Sequence, residues 1–333
     1  MRSISPFLAV VLAVLVVIVL VSAQPQALTV YSGRNRELVG PLLDQFSKAT
    51  GIQVRVRYGE TAELAATIME EGSNSPADVY FAQDAGALGA LAYTGRLRRL
   101  PDAILQKVEA RFRSSDGLWV GVSGRARVVA YNTRRVPVRD LPDSIWDFID
   151  TKWRGRIGWA PTNGSFQAHV TAMRLLWGNE RTGRWLAGIK ANGARAYRNN
   201  TAIVAALGAG EIDVGFVNNY YLFQFLKERG AGFPVRNHMF KGPDAGNLIN
   251  VAGVGIVDTS TNPASALRLV EFLLSPEAQR YFANETFEYP LMSGITAHPL
   301  LVPLSQIQTP RVDLNHLQAL EATLKLMREV GIL

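Results

Sequence analysis

From Leu28 onward, short apolar runs alternate with segments whose apolar residues recur at helical spacing. That alternation restricts the chain to an α/β sheet with helical crossovers. Leu28-Thr29-Val30-Tyr31 reads as a strand, and Ser32-Gly33 turns out of it. Leu38, Val39, Leu42, Leu43 and Phe46 then share a helix face that ends at Gly51. Ile52 to Val56 alternates as a half-covered strand does, Leu64 to Met69 is helical, and Asp78 to Phe81 is a third strand. Gln83 and Asp84 follow that strand, ahead of a helix from Ala85 to Tyr93. Leu118 to Val122 and Arg127 to Tyr131 predict two strands divided by a turn at Ser123-Gly124. Ile145 to Ile149 reads as a short helix, and Ile157 to Ala160 as a strand. The polar turn Pro161 to Ser165 opens a helix from Phe166 to Trp177, and Asn199-Asn200-Thr201 opens another from Ala202 to Leu207. Ala252 to Val257 is a strand. Pro263 to Asn284 is helical with a break at Ser275-Pro276, and Leu314 to Val330 is a terminal helix.

A chain of 333 residues allows about two domains at roughly 150 residues each. Its 48% hydrophobic and 19% charged residues provide ample core. The net charge of +7 would suit anionic partners, yet the basic residues are scattered and the densest group is only Arg96-Leu97-Arg98-Arg99. Such a cluster is a solvated patch, and nucleic acid is not expected as a partner. The absence of cysteine excludes disulfides, thiolate metal sites and thiol nucleophiles. Before the alternating region, Arg2, the apolar run Phe7 to Val21 and the small residues Val21-Ser22-Ala23 form a signal-peptide pattern over residues 1–23. An uncleaved anchor is the other reading, but the run is shorter than the ~20 residues of a spanning helix.

Ile212-Asp213-Val214-Gly215-Phe216-Val217 is a largely apolar run that ends at Asn218-Asn219-Tyr220-Tyr221. In open α/β sheets ligands sit beyond the carboxyl ends of strands, so the two phenols fall where a ligand is held. Phenolate is a hard oxygen donor suited to a hard cation such as Fe(III), and it forms near neutral pH only beside strong positive charge. The competing reading is a tyrosine pair packed between two lobes. Asn163, Ser165, Asn200, Asn218 and Arg125 also sit at strand ends or helix starts, where capping and solvated charge are the plainer explanations. The four histidines, His169, His238, His298 and His316, lie far apart, and no HExxH, GxSxG, P-loop or dinucleotide fingerprint occurs. An enzyme is not expected.

The order and spacing of several pieces together are more specific than any one of them. They are Val30-Tyr31-Ser32-Gly33, Glu70-Glu71-Gly72-Ser73 with Ser75-Pro76-Ala77-Asp78-Val79, Ser123-Gly124-Arg125, Pro161-Thr162-Asn163-Gly164, and Gly210-Glu211-Ile212-Asp213 leading to Asn218-Asn219-Tyr220-Tyr221. In these the chain resembles the periplasmic ferric-iron-binding proteins of ABC importers. The resemblance implies an α/β, two-lobed periplasmic-binding-protein fold of type II with a central ligand cleft. Lobe 1 would take residues 28–127 and 252–300, and lobe 2 residues 128–251 and 301–333. It implies that Tyr220 and Tyr221 bind Fe(III), and that Arg125, Asn163, Ser165, Asn200 and Asn218 hold a synergistic carbonate or phosphate. The implied partner is an ABC permease of the inner membrane, served by a periplasmic monomer. The chain departs from the family where some members add a histidine and a glutamate, because Asn35 and Gln83 stand there. Phe166 stands where others add a tyrosine. Two phenolates, an anion and water could still hold the ion, with Asp84 or Glu60 assisting. The alternative is a binding protein for a small organic or inorganic anion.

Overall fold

The computed structural model describes residues 27–333; the signal-peptide pattern at 1–23 lies outside them. Ten strands form one sheet: β1 (Leu28–Ser32), β2 (Val54–Tyr58), β3 (Val79–Ala82), β4 (Val120–Asn132), β5 (Ile157–Trp159), β6 (Arg195–Ala196), β7 (Val214–Asn218), β8 (Val235–His238), β9 (Ile249–Ile256) and β10 (Tyr289–Pro290). The helices are α1 (Arg36–Thr50), α2 (Thr61–Glu71), α3 (Ala85–Tyr93), α4 (Asp102–Leu105), α5 (Gly164–Ala191), α6 (Asn200–Ala209), α7 (Tyr220–Arg229), α8 (Pro263–Leu273), α9 (Pro276–Asn284) and α10 (Leu320–Glu329). Among them, none is long and apolar enough to cross a membrane.

The strand order is β2-β1-β3-β9-β4-β7-β5-β6, with β8 and β10 pairing on β4. β1–β3 run parallel through helical crossovers, as do β5–β7, and antiparallel β9 and β4 join the two groups. β4 is the connecting element: residues 120–126 pair with β9, and residues 127–132 pair with β7 and β8. It is buried along its full length. One core gathers around β1, β3 and β9. A second, rich in aromatic rings, gathers Phe148, Trp153, Trp185 and Phe216. Phe148 meets Phe216 edge-on at 5.5 Å, and the Trp185 indole N–H donates to the Ile145 carbonyl at 2.9 Å, so the indole is buried without losing its polar partner.

The expected turn at Ser123-Gly124 does not form, and β4 runs through it as one strand of 13 residues. Ser-Gly is a turn signal only while the neighbouring backbone lacks partners. Here Ser123 pairs with Ala252 and Pro290, and Gly124 with Val251 and Tyr289. The glycine serves close packing: a Cβ at Gly124 would lie 3.1 Å from a Leu291 methyl. Other departures are smaller. The segment Ile145–Ile149 is a 3₁₀ turn, and the terminal helix begins as 3₁₀ over Leu314–Gln318 before α10. The helix expected to stop at Trp177 resumes beyond Gly178, whose φ of 78° breaks it.

Four strand ends converge on one region: the turn after β1, Gln83 and Asp84 after β3, Asn163 after β5, and Asn218 ending β7. Gly33 permits this convergence. A Cβ there would stand 2.1 Å from Thr61 Oγ1 and 2.8 Å from Thr61 Cα, and that hydroxyl donates to the Gly33 carbonyl and accepts from the Gln83 N–H. Gly33→Ala is therefore expected to destabilise the fold by about 1–3 kcal/mol through overpacking. A lowered urea midpoint with an unchanged slope would check it; an unaltered midpoint would contradict it.

Candidate functional site

Tyr220 and Tyr221 open α7 directly beyond β7, and both are buried. Their rings stack with centroids 4.3 Å apart and planes at 29°. Asn219 precedes them without capping the helix; its Oδ1 accepts the Ala126 N–H at 2.9 Å and ties the start of α7 to β4. Gln83 reaches over from the end of β3. Its Nε2 donates to the Tyr221 hydroxyl at 3.2 Å and the Tyr220 hydroxyl at 3.4 Å, while its Oε1 accepts from Asn163 Nδ2 at 3.5 Å. One amide thus spans from the tyrosines to the start of α5.

The asparagines form a second group. Asn163 Oδ1 caps α5 through the Ser165 N–H and accepts Ser165 Oγ at 2.6 Å and Asn200 Nδ2 at 3.2 Å. Asn200 Oδ1 accepts the Asn218 N–H at 3.1 Å. The cation wired into this group is Arg127, whose Nη1 donates to Asn218 Oδ1 at 3.0 Å and to Ser165 Oγ and Asn200 Oδ1 at 3.5 Å. Arg125, the cation expected here from the sequence, lies two residues earlier on the same face of β4. Arg125 lies instead toward Tyr220, Asp84 and Glu288, is 1% exposed, and has no hydrogen-bond partner on any guanidinium nitrogen. Arg127 Nε and Nη2 and Asn218 Nδ2 are likewise buried and unpartnered.

A third buried guanidinium completes the region. Arg34, just beyond the turn after β1, donates to Glu288 at 2.6 Å, and its carbon lies 5.8 Å from the Tyr220 ring centre. Burial, the largest single influence, opposes that charge, but Glu288, Tyr220 and Tyr221 together outweigh it and raise the Arg34 pKa. Neither Arg125 nor Arg127 has a hydrogen-bonded carboxylate, although Asp84 and Glu288 act on Arg125 through space. Burial lowers both, and for Arg127 burial and then the neighbouring Arg125 bring the pKa down to about 9. The nearby carboxyl of Asp84 caps α3 through the Ala87 N–H, and burial raises its pKa. Three guanidiniums share a single hydrogen-bonded carboxylate, so the region favours added negative charge. The Tyr221 phenol is pushed well up by burial and by Tyr220, with Arg34 and Arg125 pulling the other way. A bound trivalent cation would supply the missing pull toward phenolate.

Asn35 is half-buried at the start of α1 and makes no capping bond; it lines a cleft of about 630 Å³ together with Tyr221, Arg34, Glu60 and Arg198. Burial and then Glu63 raise the Glu60 pKa. Phe166 packs edge-on against Trp159 at 5.8 Å in the aromatic core. Among the described residues no group of three or more His, Cys, Asp or Glu side chains could hold a metal. Sequence reasoning missed Arg34, Arg127 and Glu288. Strand alternation from Arg125 could have suggested Arg127, but Glu288 is 254 residues from Arg34 and nothing local marks it.

His169, in the second turn of α5, takes no part in this region. Its Nε2 donates to the Ala245 carbonyl at 2.8 Å. Burial, and then Arg127, depress its pKa from 6.5 to about 3. The unfolded chain therefore takes up a proton between those values that the folded chain does not, and stability falls as the pH falls through that window. At pH 4.5 the expected loss is about 3 kcal/mol relative to pH 7.5. Urea unfolding of the wild type and His169→Gln at both pH values checks this, since the variant should lose that part of the pH dependence.

The family profile for bacterial extracellular solute-binding proteins matches residues 42–303. The chain belongs to that family. Its two-lobed α/β fold is shared with solved relatives. This solute-binding protein is similar to iron-bound HitA from Pseudomonas aeruginosa, at 36% identity and a TM-score of 0.89 over 92% of this chain and all of that one. It is also similar to a Trichodesmium protein in complex with iron and citrate, at 31% identity and a TM-score of 0.76 over 92% of this chain and 99% of that one. The major ferric iron-binding protein of Neisseria meningitidis is 34% identical over 92% of this chain and 93% of its own length.

Proposed function

We propose that this protein captures Fe(III) between its lobes together with a synergistic anion, and delivers it to an ABC permease as an exported periplasmic monomer. The observation that carries this reading is the stacked, buried phenol pair of Tyr220 and Tyr221 beside guanidiniums that lack carboxylate partners. Both phenols lose their protons as the metal binds. The anion, carbonate or phosphate, takes the unpartnered donors of Arg125, Arg127 and Asn218 and a position on the metal. Asn163, Ser165 and Asn200 hold Arg127 and Asn218 in place for it. Gln83 donates to the phenols when the metal is absent and turns its carbonyl oxygen toward the metal when it is present; Asn35 stands at the mouth of the cleft. The relatives are binding proteins, and this one holds its cargo without turning it over. Nucleic acid has no part in it.

Titrating the purified protein with ferric citrate, in the presence of bicarbonate or phosphate, is expected to produce a visible phenolate-to-iron charge-transfer band that saturates at one ion per chain. If no band forms, while carbonate or phosphate binds without metal and Arg125→Ala removes that binding, the protein is a small-anion carrier instead. The free guanidinium of Arg125 is what would favour that second reading.

A further inference from the structure

The C-terminal segment is anchored in both cores. It arrives from the strand junction, where Asn247 Nδ2 donates to the Gln308 carbonyl at 3.4 Å and Thr309 Oγ1 accepts the Ile249 N–H at 3.3 Å. Ile249 pairs with Ala126, at the point where β4 passes from β9 to β7. Leu314 and Leu317 then enter the core around β1, β3 and β9. Met327, on α10, is buried in the aromatic core, with Leu326 and Val330 packed against it.

The segment rests on the two helices that start at the site. α3 follows directly on Gln83 and Asp84, and α5 on Asn163. In the first turn of α3 a Cβ at Gly86 would lie 2.8 Å from the Leu317 carbonyl oxygen, so the segment lies directly on that turn. On α5, the Thr171 and Thr323 hydroxyls share a hydrogen bond of 2.7 Å. Arg174 Nη1 donates to Thr323 Oγ1 at 2.9 Å and to the Ala319 carbonyl at 3.0 Å, and Lys190 Nζ donates to the Val330 carbonyl at 2.8 Å. The same two helix starts also meet each other. Gln83 Oε1 accepts from Asn163 Nδ2, and a Cβ at Gly164 would stand 2.9 Å from Asp84 Oδ2 and 3.2 Å from Thr61 Cβ. Opening the cleft there separates the starts of α3 and α5, and so pulls on the segment anchored to both.

We propose that Leu314–Glu329 is a strap across the cleft, which biases the lobes toward the arrangement in which Gln83 meets Asn163. Leu317 is its grip on α3, and Arg174 with Thr323 its grip on α5. These are positioning residues. Weakening either grip populates an open arrangement, and the apparent affinity for cargo falls by the factor by which the closed fraction falls. The strap rests on the reading that cargo is held between the lobes, but its test needs no cargo.

The chain has no cysteine, so spin labels can be placed at will. In full-length, metal-free protein, Glu70→Cys with Arg184→Cys puts one label on α2 and one on α5, both at exposed positions. Glu70→Cys with Gln106→Cys keeps both labels beside the first core. Distances are read by pulsed electron paramagnetic resonance. Leu317→Ala at one grip, and Arg174→Met with Thr323→Val at the other, are each expected to add a longer population to the α2–α5 distances. The Glu70–Gln106 distances should stay unchanged. Thr323→Val strands no donor on α5, because the Thr171 hydroxyl keeps its bond to the Gln167 carbonyl at 3.0 Å. Unaltered α2–α5 distances at either grip would overturn the strap. So would Glu70–Gln106 distances that change as much, since the variants would then have loosened the first core itself. Failure of the ferric titration would leave these distances as they are, and unmoved distances would leave the iron reading untouched.

Discussion

Changing Tyr220 and Tyr221 together to phenylalanine is expected to abolish the ferric charge-transfer band, and each single change to weaken it. Phenylalanine keeps the 4.3 Å ring stack and the buried surface, so the fold should survive. What disappears is the pair of oxygens to which Gln83 Nε2 donates. Those oxygens are also the hard anionic donors that the chain presents there, in a region with no cluster of His, Cys, Asp or Glu among the described residues. The affinity loss should therefore exceed the ~100-fold scale of changes to groups that only support a ligand. Citrate competition would measure it. The double variant leaves both N–H donors of the Gln83 amide without their acceptors, at a cost of about 1–3 kcal/mol, so its melting temperature should fall modestly while its circular dichroism stays unchanged. A double variant that kept the band would remove the tyrosines from the metal site.

The second large effect is expected at Glu288. This buried carboxylate accepts from Arg34 at 2.6 Å and from Ser123 and Thr286 at 2.9 Å each. Glu288→Ala leaves the Arg34 guanidinium buried without its counter-charge, a situation that costs about 3–5 kcal/mol. For a chain of this size that lowers the melting temperature by on the order of 10 °C. The double change Arg34→Met with Glu288→Leu removes both charges and should recover most of the loss, because a well-packed apolar pair can replace a buried ion pair. A loss below 1 kcal/mol in Glu288→Ala would mean that Arg34 finds another anion. The same measurement repeated with phosphate present would then identify it.

These two expectations draw on different kinds of information. The tyrosines were legible in the sequence because their position follows from local order: an apolar run becomes β7, and the residues after it must emerge at a strand end. Gln83 and Asn163 were legible for the same reason. Helix faces such as Leu38, Val39, Leu42, Leu43 and Phe46 were equally plain, and all five are buried. Ser123-Gly124 misled, since its turn propensity was overridden by ladder partners from β9 and β10, more than 120 residues away. Arg125 and Arg127 share one strand face, and alternation cannot say which of them reaches the asparagines and which the phenols.

By itself, then, the sequence determined the alternation of strands and helices, the presence of two phenols beyond a strand end, and the shortage of other metal donors. All of these depend on residues close in the chain. The pairing of Arg34 with Glu288, the span of Gln83 from the phenols to Asn163, and the anchoring of the C-terminal segment in two cores were decided only by the tertiary structure. Each rests on burial and on contacts between distant segments, which set the local dielectric and the available partners, and neither quantity has a local signature.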